Sequence, residues 1–163
     1  MTEIADNRIL RITKLLVFLI MGFAAVGGVV LALVSVGLPF YWNEALAEIA
    51  KEKPGINTSN LLPGLLAIFA FGIIVLGLMW TMMRKLLVII DSVEDGNPFI
   101  KVNAVRLRAI GWIMVGIQIV GLPLATTAGN VADLFGENDV GFNFPLNGIL
   151  AILLVFILAG IFE

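Results

Sequence analysis

The side chains with the most to offer chemically are four cations in two tight groups, Arg84-Lys85 and Arg106-Leu107-Arg108, two acidic runs, and one amide, Gln118, inside an uncharged stretch. The ordinary work of such cations is to snorkel and to attract anionic lipid headgroups, worth about 1 kcal/mol each near a membrane surface. Their sharper role is to dock an acidic cytoplasmic partner. In the first acidic run, Glu44, Glu48 and Glu52 recur every four residues and so share one helical face. That face is either a cation or partner patch or a solvated surface. The second run, Asp133, Glu137 and Asp139, does not have the spacing of a calcium-binding loop. Gln118 fits an interhelical hydrogen bond, worth roughly 0.6–2 kcal/mol, better than a substrate site. The chain has no Cys and no His. That removes disulfides, thiolate nucleophiles, Cys/His zinc sites, histidine-ligated haem and histidine bases. No carboxylate pair or nucleophile-base set can be assembled within the membrane, so the expected role is non-enzymatic, without metal or cofactor.

The elements that position these residues follow from composition. Of 163 residues, 60% are hydrophobic and 13% charged, with a mean hydropathy of +1.07. An ordinary soluble domain has roughly 45–50% and 25% respectively, so neither a disordered chain nor a soluble globule fits. The length suits one domain. Four stretches are free of Asp, Glu, Lys and Arg, at residues 15–38, 61–83, 110–127 and 146–162. About 20 residues at 1.5 Å each cross a hydrocarbon core of roughly 30 Å, so each stretch is a candidate span. The first is 24 residues, too long for the core of a signal peptide, and Ala45-Leu46-Ala47 lies too far on to be a cleavage site. The expected fold is all-α, a single four-span transmembrane domain forming a four-helix bundle.

Cytoplasmic segments carry the excess of Lys and Arg, which sets the orientation. Arg8, Arg11 and Lys14 precede span one, and Arg84, Lys85, Lys101, Arg106 and Arg108 lie between spans two and three; the first loop has only Lys51 and Lys53, the third none. Eight against two puts both termini in the cytoplasm. Trp80, Trp112, Tyr41 and Trp42 fall at span ends, as interfacial aromatics should. A net charge of -2 makes no case for direct nucleic-acid binding.

The inner loop carries the most information. Leu86, Leu87, Ile90 and Val93 continue the apolar pattern of span two, so its helix runs on into the cytoplasm until Gly96 stops it. Asn97-Pro98 then reads as a helix start, with Asn97 as N-cap and Pro98 at the first helical position. Pro98, Val102, Val105, Ala109 and Trp112 form one stripe of the helix entering span three. Spans two and three therefore form a helical hairpin extending into the cytoplasm, with Phe99 at its tip. In the first outer loop a short helix is expected from an N-cap at Asn43 to a stop at Pro54-Gly55, with Leu46, Ile49 and Ala50 as its apolar edge. Ala24, Gly28 and Ala32 form a close-packing face on span one. Gly111, Gly116 and Gly121 recur every five residues, about 140° of rotation per step, and cannot line one seam. Pro123 should kink span three. Gly-x-Pro-Phe at residues 37–40 recurs at residues 96–99, which reuse of a helix-start turn explains more simply than an inverted repeat.

The run Val93-Glu94-Asp95-Gly96-Asn97-Pro98-Phe99, then Asn103, then Arg106-Leu107-Arg108-Ala109-Ile110-Gly111-Trp112, resembles the bacterial integral-membrane family known as domain of unknown function 2975. The resemblance implies a small multi-pass protein of the bacterial inner membrane without known enzymatic chemistry, in a family often encoded beside a small helix-turn-helix regulator. It also implies a short basic tail after the last span, whereas the sequence ends at Glu163; a missing cytoplasmic tail is the expectation. The leading functional expectation is docking of a cytoplasmic partner, such as a helix-turn-helix regulator, together with anionic headgroups of the inner leaflet. The residues expected to carry it are Arg84, Lys85, Arg106 and Arg108 at the hairpin base and Gly96, Pro98, Phe99 and Asn103 towards its tip. The alternative is a small permease or channel subunit, a homo-oligomer built around Gln118 and Pro123.

Overall fold

The structure, a computed structural model, describes residues 2–52, 58–97, 99–136 and 146–162, with the side chains of residues 2–7 excepted. Pro54-Gly55, Pro98, Glu137, Asp139 and Glu163, on which several expectations rest, lie outside the described residues. Among the described residues all regular structure is helical: α1 (Thr2–Gly37), α2 (Trp42–Glu52), α3 (Leu61–Glu94), α4 (Lys101–Leu134) and α5 (Leu146–Ile161). Lipid offers backbone N–H and C=O groups no partners, so even the Val- and Ile-rich stretches close their hydrogen bonds internally as helix. Three helices are long and apolar enough to cross a membrane, Arg8–Gly37 within α1, then α3 and α4. The chain is therefore built as a helical membrane protein. α5, expected as the fourth span, has 16 residues. At 1.5 Å per residue that is about 24 Å, short of a full hydrocarbon core.

The helix ends follow local chemistry. Gly96 has φ 75°, and two hydrogen bonds close the end of α3: Gly96 N–H donates to Val93 O at 3.1 Å and Asn97 N–H to Ser92 O at 3.0 Å. This paired closure needs a left-handed residue, which glycine adopts without steric cost. The expected start of α4 at Asn97 is displaced to Lys101. The reason is that Asn97 belongs to the preceding helix: its backbone N–H closes α3 and its side-chain Nδ2 donates to Asp95 O at 3.2 Å. Gly136, with φ 78°, follows α4 in the same conformation. α4 runs unbroken through Pro123, whose missing N–H leaves the Ile119 carbonyl without its usual donor. Thr126 and Thr127 hydroxyls donate to the Pro123 carbonyl at 3.0 and 2.7 Å.

The chain divides into two compact units. One comprises Met1–Val26, Gly77–Gln118 and Pro145–Glu163. Its core is Val17 and Met21 of α1 against Met83 and Ile90 of α3, with Leu10, Trp80, Leu86 and Leu87 packed around them. α4 buries Asn103, Ala104, Ile110 and Gly111. The expected stripe of Val102, Val105 and Trp112 faces outward instead, each being more than half exposed. Gly111 lies under the ring of Phe156 from α5, and Trp112 meets the same ring edge-on at 5.6 Å. Gly116 faces Leu78 of α3, so the glycines do address different neighbours.

The other unit comprises Gly27–Leu76 and Ile119–Phe144. Here small residues let helices approach. A Cβ at Gly72 would sit 3.1 Å from Leu31, and one at Gly64 would sit 2.7 Å from Val131. The expected face of Ala24, Gly28 and Ala32 is only partly realised: Ala24 is buried, but Gly28 opens onto empty space, and Gly27 makes the contact, with Leu76. On α2 the half-buried edge is Trp42, Ala45, Leu46 and Ile49, with Ala50 exposed, and Asn43 lies inside the helix rather than capping it. Glu44, Glu48 and Glu52 are exposed, and Glu48 pairs with Lys51 at 3.1 Å, as on a solvated face.

Candidate functional site

Arg84 and Lys85 follow directly on the uncharged stretch 61–83. Helical periodicity stacks them with Trp80, Thr81 and Val88 on one side of α3. α4 returns antiparallel and adds Arg106, and together these six residues line a groove of about 380 Å³. Three of the four cations expected at the hairpin base are thus brought together; Arg108 is exposed and does not line the groove. Among the described residues no carboxylate pairs with Arg84, Lys85 or Arg106.

Arg106 is held from behind. Its Nη1 donates to Asn103 Oδ1 at 2.7 Å, Asn103 Nδ2 donates to Ser92 Oγ at 2.6 Å, and Ser92 Oγ donates to Ile89 O at 2.6 Å. Asn103 is fully buried and Ser92 nearly so. A neutral amide accepts from the guanidinium without cancelling its charge, which fixes the cation's position and leaves its field intact. Of this relay, Ser92 escapes a sequence reading. It stands eleven residues from Asn103 across a turn, and no periodicity within one helix links them.

At the turn, Phe99 is 74% exposed and its ring lies 5.0 Å from Phe162, just beyond the end of α5. Lys14 lies close to the end of α3, reaching Asp91 Oδ1 at 2.7 Å and Glu94 Oε2 at 2.5 Å. The beginning of α1, the α3–α4 turn and the end of α5 therefore share one end of this unit. Gln118 stands apart, its amide packed against Gly148 of α5. It occupies a contact between α4 and α5. Among the described residues no group of three or more acidic side chains is placed to hold a metal ion.

Lys14 precedes the uncharged stretch 15–38, and its hydrogen bonds to Asp91 and then Glu94 raise its ammonium pKa above the ordinary 10.5. The sign follows: the stabilisation is fully present below 10.5 and is lost as pH rises through the raised value. The stability difference between the wild type and Lys14→Gln should stay constant from neutral pH to that point and shrink above it. Thermal melts in a non-ionic detergent across that range test this; a difference that grows with alkalinity would contradict it.

Comparison of the chain with known protein families, with curated proteins and with solved structures finds no match.

Proposed function

We propose that this chain is a non-enzymatic, four-span protein of the bacterial inner membrane, with both termini cytoplasmic, that docks a cytoplasmic protein through the α3–α4 turn. The observation that carries the reading is the turn itself. Gly96 reverses the chain beyond the uncharged stretches and leaves Phe99 74% exposed, beside exposed Ile100 and Val102. Aromatic side chains are enriched at the core of protein interfaces. The topology is supported by the Lys14 ion pairs and by the Phe99–Phe162 contact, which gather the start of α1, the turn and the end of α5. Eight of the ten cations lie before the first uncharged stretch or between the second and third, which supports a cytoplasmic placement of this end. The resemblance carried by residues 93–112 is to proteins of the same kind.

A photo-crosslinking side chain at Phe99, compared with one at the even more exposed Phe40 beyond the C-terminal end of α1, tests the reading in living cells. Adducts with a cytoplasmic protein are expected from position 99 alone. Truncation of an anchoring aromatic costs about 2 kcal/mol or more, so Phe99→Ala should weaken binding of that protein by about thirtyfold. Equal affinity for Phe99→Ala and wild type would overturn the assignment.

A further inference from the structure

The three uncompensated cations of the groove carry a separate consequence. Arg84, Lys85 and Arg106 converge on about 380 Å³ without a carboxylate among the lining residues, and the buried Asn103 fixes one of them in place. Three like charges held together repel one another, so the site is completed by an anion of more than one charge. Its position identifies the class. Arg84 and Lys85 stand at the end of 23 uncharged residues, the depth at which lipid phosphates lie, and Trp80 is the kind of side chain that settles at that boundary. Thr81 is exposed between the cations and the apolar part of α3, and one turn further Gly77 opens onto empty space. That leaves room for an acyl chain to lie along the helix above a headgroup.

We propose that the Arg84, Lys85 and Arg106 groove is a specific site for an anionic phospholipid, which the two guanidinium groups and the ammonium hold by its phosphodiesters. A headgroup with two phosphodiesters matches the three cations better than a headgroup with one. Basic pockets between transmembrane helices on the cytoplasmic side take such headgroups, and the planar guanidinium donates two parallel hydrogen bonds to a phosphate. The proposal rests on the cytoplasmic placement of these residues given above. It does not rest on protein docking at Phe99, so Phe99→Ala should leave lipid retention unchanged while weakening docking, and the two readings fail separately.

The test is lipid retention by the full chain in phosphatidylcholine nanodiscs doped with either phosphatidylglycerol or its two-phosphate dimer, diphosphatidylglycerol. Retained lipid is identified by mass spectrometry. Wild type should enrich both anionic lipids over phosphatidylcholine and the two-phosphate lipid most. Arg84→Gln and Arg106→Gln should each cut the enrichment about tenfold, whereas Arg8→Gln and Arg11→Gln, on exposed cations elsewhere on the same side, should not. Arg106→Lys keeps the charge and loses the planar donor set, so it should fall between, which separates loss of the site from loss of folding. Enrichment that drops equally for all four Arg→Gln variants would reduce the site to general surface charge and overturn the proposal. So would saturable binding of inorganic phosphate in pure phosphatidylcholine discs without any anionic-lipid preference, because the occupant would then be a free anion.

Discussion

Asn103→Leu should lower the stability of the protein in detergent by about 1–3 kcal/mol and release Arg106 from its fixed position. Asn103 is fully buried, and Leu fills a similar volume, so the loss is of hydrogen bonding rather than of packing. The bonds lost include the one to Ser92 Oγ at 2.6 Å and the one from Arg106 at 2.7 Å. Arg106 is half-buried and can recruit water, and Ser92 keeps Ile89 O as acceptor, so the cost falls toward the lower end of that range. Ser92→Ala acts on the same relay from the other side, removing the hydroxyl that accepts from Asn103 Nδ2 at 2.6 Å. The double variant Ser92→Ala/Asn103→Leu should therefore cost less than the two singles combined, with a coupling of about 0.5–3 kcal/mol. Equilibrium unfolding of all four proteins measures it. Strict additivity would mean that the relay contributes nothing as a unit.

The legible and illegible parts of this fold divide along one physical line. Some rules can be read along a single segment: lipid turns uncharged stretches into helix, and a glycine able to take a positive φ ends α3 at Gly96. Pairing between segments is not written that way. Lys14 meets Glu94 eighty residues on, and Asn103 meets Ser92 across the turn. Helix boundaries moved for a related reason. Uncharged residues mark only the part of a helix that lipid touches, so α1 begins at Thr2 and not at residue 15. The apolar stripe of Val102, Val105 and Trp112 misled because in a membrane apolar residues serve outward as well as inward. The positions α4 buries include the small or polar Asn103, Ala104 and Gly111. Counting cations found Arg84, Lys85 and Arg106; only the packing of α4 on α3 shows that they line one groove and that Arg108 does not.

That inversion makes Gly111 a sensitive position in the unit that holds the candidate site. A Cβ there would lie 2.9 to 3.1 Å from three ring atoms of Phe156, closer than real contacts allow without movement. The ring has little freedom to yield, because Trp112 stands edge-on to it at 5.6 Å and an interplanar angle of 78°. Transmembrane helices associate through close packing over small residues, with no hydrophobic drive to hold a displaced helix in place. Gly111→Ala should accordingly cost about 1–3 kcal/mol, and Gly111→Leu should separate α5 from α4 altogether. The absence of native Cys gives a direct reading of that separation. Phe99→Cys/Phe162→Cys replaces two rings 5.0 Å apart and should be joined by a short bifunctional maleimide in the wild-type background but not with Gly111→Leu. Adding Phe156→Ala to Gly111→Leu vacates the space the leucine needs and should restore the crosslink. Restoration would show a steric fault at one contact rather than general unfolding, and an undiminished crosslink in Gly111→Leu would refute the packing argument. Because Phe162 lies against Phe99, detaching α5 also strips the turn of its neighbour, so Gly111→Leu should weaken partner docking at Phe99 without altering any residue of the turn.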